Sequence, residues 1–188
     1  MPDANSRAWW QHKHQRYQER GDLRERADEF RVLAAWCRGP VIEVGCAFGA
    51  FSRYLPAECG YLGLDIGGVA RAREMNPGRI FVDGDVFAVA PFLAGAAETV
   101  VAMQFIEHFE APVVALDVLR KISRRRLVFS VPRGEPSPSQ RSAKGDGHMI
   151  GWRDEDAMLP LLSPYGRVEF VAGAQNHISG IVDWGGAQ

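Results

Sequence analysis

Two histidines and three carboxylates stand where short apolar runs stop, and through them this sequence can do chemistry. His108 follows Val100-Val101-Ala102-Met103-Gln104, and His148 follows Leu127-Val128-Phe129-Ser130-Val131 after a loop. Imidazole titrates near neutrality, so either histidine can take a proton from a hydroxyl or an ammonium group. Glu43 is the one polar residue in Val41-Ile42-Glu43-Val44, and Asp65 closes Tyr61-Leu62-Gly63-Leu64-Asp65. A carboxylate at such a tip can accept both hydroxyls of a ribose. Asp85 follows a third run, Ile80-Phe81-Val82, with Asp83 as the competing assignment one step closer. Gly45-Cys46-Ala47-Phe48-Gly49 comes directly after the run that holds Glu43. Its glycines permit a sharp turn and a close approach of ligand to backbone.

These residues need strands to hold them. Runs of β-branched and apolar residues bounded by glycine suit strands buried on both faces of a parallel sheet. Five such runs occur between Val41 and Val131, and helical spacing separates them at 50–55, 69–75 and 113–122. The order strand, glycine turn, helix aims backbone N–H groups and the positive end of a helix dipole at a ligand. Before the first strand, residues 6–38 read as two helices broken near Gly21, the second repeating Leu23, Ala27, Phe30, Leu33, Ala34 and Cys37 on one face. His12 and His14 lie two apart, face different directions, and read as a solvated helix face. Residues 132–147 are rich in Pro, Gly and Ser and read as a loop over the strand ends. A helix over 155–162 and two closing strands, 166–171 and 178–182, complete the order.

Glu43-Val44-Gly45-Cys46-Ala47-Phe48-Gly49 resembles the first motif of class I S-adenosylmethionine-dependent methyltransferases, acidic-x-Gly-x-Gly-x-Gly, with alanine at the middle glycine. Ile106-Glu107-His108-Phe109, directly after the fourth strand, resembles the Glu-His-Leu signature of a small-molecule branch of that family. The resemblance covers residues 40–131. It implies an α/β, Rossmann-like fold: a mostly parallel seven-stranded sheet, last strand antiparallel, with helices on both faces. It implies one domain over 1–188, with an N-terminal helical cap (1–38) and an acceptor-site loop (132–152). For S-adenosylmethionine and its product S-adenosylhomocysteine it implies a binding set of Glu43, Gly45, Cys46, Ala47, Phe48, Gly49, Asp65, Ile66, Asp85, Val86, Gln104 and Tyr17. Tyr17 enters with Trp9 and Trp10 as a lid, for which core packing is an equally good reading. His108 and His148 are the catalytic candidates, His108 favoured because it sits closer to a fixed strand end. No metal is expected. The acceptor is expected to be an O or N atom of a small molecule, since no room is left for a separate substrate domain.

Composition narrows the rivals. A net charge of -1 gives no global pull toward nucleic acid or anionic membrane. That weighs against an RNA-directed methyltransferase, as does the absence of an Asn/Asp-Pro-Pro-aromatic motif after the fourth strand. GxxxG in place of GxGxxG weighs against a nicotinamide oxidoreductase. A non-catalytic cofactor-binding protein of the same fold stays open. The three cysteines have no metal-type spacing and an odd count, so no disulfide framework is expected. No apolar run approaches the ~20 residues of a membrane helix, and no apolar signal core opens the chain, so a cytoplasmic location is the default. Arg124-Arg125-Arg126 reads as a solvated helix-to-strand turn at the end of the sheet away from the site.

Overall fold

A computed structural model describes residues 5–21, 26–136, 147–171 and 176–185. Seven strands form one sheet: β1 (Val41–Val44), β2 (Tyr61–Asp65), β3 (Ile80–Asp83), β4 (Ala97–Met103), β5 (Ser123–Pro132), β6 (Arg167–Phe170) and β7 (His177–Asp183). Their order across the sheet is β3-β2-β1-β4-β5-β7-β6. Strands β1 to β5 pair in parallel, and β7 runs antiparallel to both β5 and β6. This is the expected sheet, with β7 as the reversed strand. The order reverses between β1 and β4, and open α/β sheets bind ligands in the crevice at such a switch point.

Alternation along the strands divides the core into two layers. Ile42, Val44, Val100, Ala102, Leu127 and Phe129 face one side, against α5 (Pro112–Ile122) and α6 (Glu155–Leu162). Val41, Val101, Met103, Val128 and Ile181 face the other, against Phe30 and Leu33 of α2 (Ala27–Ala34) and Phe51. On that side α3 (Val69–Met75) contributes Val69 and Ala72. The sheet is thereby buried on both faces, which is why its strands read as nearly continuous apolar runs.

Three local elements depart from the sequence reading. Residues 50–55 form only a 3-10 turn, Ala50–Tyr54, and Leu55 is extended before Pro56. The Arg79 guanidinium donates to the carbonyls of Ser52, Leu55, Pro56, Ala57 and Cys59, satisfying the groups that a longer helix would have paired. The arginine run lies inside β5, not in a turn before it. Arg126 stands opposite Asp183 of β7 and pairs with it at 2.8 Å, while Arg125 pairs with Glu98. The second N-terminal helix ends at Ala34, so Cys37 lies beyond it, and Leu23 lies outside the described residues.

The first helix, α1 (Arg7–Glu19), crosses the C-terminal ends of the strands. Ser6 caps it by accepting from the Trp9 amide, and Arg20 closes it before Gly21 at φ +69°. Arg7 reaches the Asp83 carboxylate at the end of β3 and the Ile66 carbonyl beyond β2. The Asn5 amide donates to the carbonyls of His108 and Gly147, 3.0 Å each. These contacts fasten α1 over the switch point. No helix among the described residues is long and apolar enough to cross a membrane.

Candidate functional site

A cavity of about 610 Å³ opens between α1 and the ends of β1, β2 and β4. Its floor is the turn after β1. Gly45 adopts φ +73°, Ala47 +46° and Gly49 +71°, so the chain turns through three left-handed residues in five. A side chain at Gly45 would meet the Phe105 ring at 3.1 Å. Gly49 faces away from the cavity, where a Cβ would lie 2.6 Å from the Phe81 ring. Gly45 lines the cavity beside Phe105, while Gly49 is packed against Phe81 on the far side.

Asp65 organises this floor. One carboxylate oxygen accepts from the Ala47 amide at 2.8 Å, and the other from Gly67 at 2.7 Å and Gly68 at 3.3 Å. The carboxylate therefore holds both the β1 turn and the turn after β2. It is 7% exposed and lines the cavity. An ionised carboxylate offers about four lone-pair sites, so accepting three amides leaves capacity for a ligand hydroxyl. Glu43 lies beneath the turn, fully buried, and accepts from the Tyr61 hydroxyl. Burial pushes its carboxyl up to about 8, against the opposing hydrogen bond from Tyr61.

Gln104 closes β4 with φ +52°, its amide N–H donating to the Ser130 carbonyl at 2.7 Å. With Asn5 and Ala47 it is one of three non-glycine residues, among those described, that both hold a left-handed backbone and line the cavity. Beyond it the 3-10 turn Ile106–His108 buries all three of its residues. His108 Nδ1 lies 3.0 Å from the Gly147 carbonyl, so it carries the proton and leaves the lone pair on Nε2. Burial lowers the His108 pKa to about 3, so the ring is neutral at physiological pH. The expected titration near neutrality therefore does not belong to His108, because its charged form loses its hydration. The His148 ring lies 5.0 Å from that of His108, and Trp10 meets His108 edge-on at 4.8 Å.

Thirteen sequence-nominated side chains or backbone positions meet here: Glu43, Gly45, Cys46, Ala47, Phe48, Asp65, Ile66, Asp85, Val86, Gln104, Tyr17, His108 and His148 all line the cavity. Of the nominated set only Gly49 stands outside the lining. Asp85 also caps α4 (Val86–Val89) by accepting from Phe87. Asp83, its competitor, is engaged by Arg7 and lies off the cavity. Of the two tryptophans, Trp10 lines the cavity, while Trp9 packs in the core beside Gly147.

His14 corrects the sequence reading. His12 is exposed as expected, but His14 is 5% exposed and lies within the cavity wall, Nδ1 3.8 Å from Asp65. Its signal was the spacing Trp10, His14, Tyr17, which sets three rings on one helix face. Asn5, Arg7 and Lys13 were also missed, as were Phe87, Phe105 and Phe109 around the opening. Most of the loop over 132–147 lies outside the described residues.

Residues 42–127 match a family model described as a methyltransferase domain. No curated protein sequence matches the chain. Among solved structures it is similar to magnesium protoporphyrin IX methyltransferase from Synechocystis PCC 6803 with bound SAH (S-adenosylhomocysteine), 18% identical, covering 84% of this chain and 83% of that one, TM-score 0.60. It is similar to a chain of the complex between the Haloferax volcanii Trm112 methyltransferase activator and a putative methyltransferase, 14% identical, covering 97% and 99%, TM-score 0.69. The N-terminal domain of EvdMO1, solved with SAH and D-fucose, is 17% identical, with coverage of 87% and 84% and a TM-score of 0.61. At such identities the likeness establishes the fold. Residues 42–127 match a methyltransferase domain, and the chain shares the Rossmann-like fold of solved methyltransferases that hold S-adenosylmethionine or S-adenosylhomocysteine.

Proposed function

We propose that the chain moves a methyl group from S-adenosylmethionine to an oxygen or nitrogen atom of a small molecule. One observation carries the reading. Asp65 and the left-handed turn 45–49 are hydrogen-bonded to each other at the switch point, on the floor of a cavity of about 610 Å³. When bound, S-adenosylmethionine supplies a methyl group on a sulfonium that is already a good leaving group. The chain's own work is then mainly alignment, which contributes on the order of 7–11 kcal/mol in favourable model reactions. Asp65 takes a ribose hydroxyl, and Gly45, with no side chain of its own in the cavity wall, admits the ligand close to the backbone. Tyr17, Trp10 and His14 cover it and exclude water. His108 and His148 stand on the acceptor side as hydrogen-bond partners for a hydroxyl or amine.

Phe87, Phe105 and Phe109, whose rings follow one another at 5.0–5.5 Å, border the same cavity and suit an apolar acceptor body. Structural neighbours named for a porphyrin and for a polyketide synthase support a small-molecule acceptor. Calorimetric titration tests the cofactor step. S-adenosylmethionine should bind wild type, and Asp65→Asn should weaken it by ~1–3 kcal/mol through loss of charge-assisted hydrogen bonds. Unchanged affinity in the folded variant would remove Asp65 from the site. Transfer of label to screened acceptors separates an enzyme from a binding protein of the same fold.

A further inference from the structure

We infer that Glu107, His108 and His148 form a divalent-metal site whose open positions receive oxygen atoms of the methyl acceptor. The three side chains each offer a ligand atom, and these atoms lie within 4.8 Å of one another. Two imidazoles and one carboxylate are a donor set suited to first-row dications such as Mn²⁺, Fe²⁺ and Zn²⁺. Around an ion with bonds of ~2.0–2.2 Å, neighbouring ligand atoms stand roughly 3–3.5 Å apart. Here His148 Nε2 stands 4.0 Å from Glu107 Oε1. Small side-chain rotations close that difference, and the His148 side chain, 15% exposed, has room for them.

The backbone already fixes the three. Glu107 and His108 share one 3-10 turn directly after β4. His148 comes from a distant segment, yet both of its neighbours are tied to that turn. The Gly147 carbonyl lies on His108 Nδ1, and the Met149 amide donates to the Glu107 carbonyl at 2.8 Å. A metal-bound histidine commonly donates its second ring N–H to a backbone carbonyl, which fixes the tautomer and turns the other nitrogen to the ion. One ring nitrogen of His108 already meets such a carbonyl, that of Gly147. Glu107 is fully buried, and a carboxylate withdrawn from water is stabilised by a cation held against it.

Both histidines line the cavity, so an ion held there faces the space left for the acceptor. On a five- or six-coordinate ion such as Mn²⁺ or Fe²⁺, three protein ligands leave two or three positions open for oxygen donors, which points to an acceptor carrying neighbouring oxygens, one of them a hydroxyl. The ion would orient that acceptor and draw charge from its oxygen. This part of the inference rests on the methyltransferase reading; the site itself does not.

The test uses the full chain, stripped with a chelator and dialysed. Mn²⁺ binding is followed by the electron paramagnetic resonance of the free ion, and Zn²⁺ binding by calorimetry. One ion per chain is expected, with His148→Ala and Glu107→Gln each weakening it at least ~10-fold, as loss of a ligand should. S-adenosylhomocysteine affinity and circular dichroism, measured in the same variants, report folding. His148→Ala, at the most exposed of the three positions, decides the matter if Glu107→Gln does not fold. Absence of saturable binding, or equal affinity in wild type and His148→Ala, overturns the site. A wild type that binds metal but not S-adenosylhomocysteine would leave the site standing and defeat the methyltransferase reading instead.

Discussion

Glu43 shows what a single buried group does to the whole protein. Its folded pKa of about 8 lies above the unfolded value of 4.5, because burial penalises its charge. The folded chain therefore binds more protons than the unfolded chain between those values. The associated stability is fully present below pH 4.5 and is lost as pH rises to about 8. Within that window the slope approaches ~1.4 kcal/mol per pH unit for one proton. Glu43→Gln retains an acceptor for the Tyr61 hydroxyl and removes the titration. Urea melts of both proteins across the window should differ in slope by about that amount, and parallel curves would refute the assignment. The role of Glu43 was suggested by its type and place, a lone carboxylate in an apolar run. Its protonation was not legible, because that depends on how completely α2 and the 3-10 turn cover it.

Among the elements, the turn after β1 stores strain. A non-glycine residue in left-handed backbone costs on the order of 1 kcal/mol, and Ala47 sits there at φ +46°. Ala47→Gly should therefore raise stability, by less than ~1 kcal/mol because glycine also loses more entropy on folding. Gly49→Ala should do the reverse. Its φ of +71° and a Cβ 2.6 Å from the Phe81 ring add overpacking to backbone strain, a loss of ~2–4 kcal/mol. Equilibrium unfolding reads both changes. Strands were legible here because burial on both faces makes apolar runs, and α3 and α6 were legible from their spacing. The helix expected after Gly49 was not, since its shortening depends on Arg79, which reaches five carbonyls from beyond α3. Nor was the fate of the arginine run, which pairs with carboxylates on neighbouring strands.

At the scale of the whole molecule, the cavity joins residues from the two N-terminal helices, four strand ends and the segment at 147–148, so a ligand there braces the fold. At 100 times its dissociation constant a ligand adds ~2.7 kcal/mol, which for a chain of this size raises Tm by roughly 5–11 °C. S-adenosylhomocysteine should do this in wild type and do it less in Asp65→Asn, as a thermal melt will show. The mostly parallel sheet with its last strand reversed was legible through the family resemblance, whereas the strand order and its switch point belong to the fold. What escaped the sequence was the polar part of the lid: Arg7, Lys13 and His14 read as a polar helix face and Asn5 lay before it, and only the fold turns them inward.

That lid has a consequence in time. Asn5 ties α1 to His108 and Gly147, and Arg7 ties it to Asp83, so entry beneath the helix is expected to wait until those bonds let go. Entry then has a first-order step of its own. In stopped-flow fluorescence, read from Trp10, the observed rate should climb with ligand concentration and level off at the rate at which the helix lifts. The Arg7–Asp83 pair is half exposed and worth no more than ~1 kcal/mol. Arg7→Ala should thus lift the plateau by up to about fivefold.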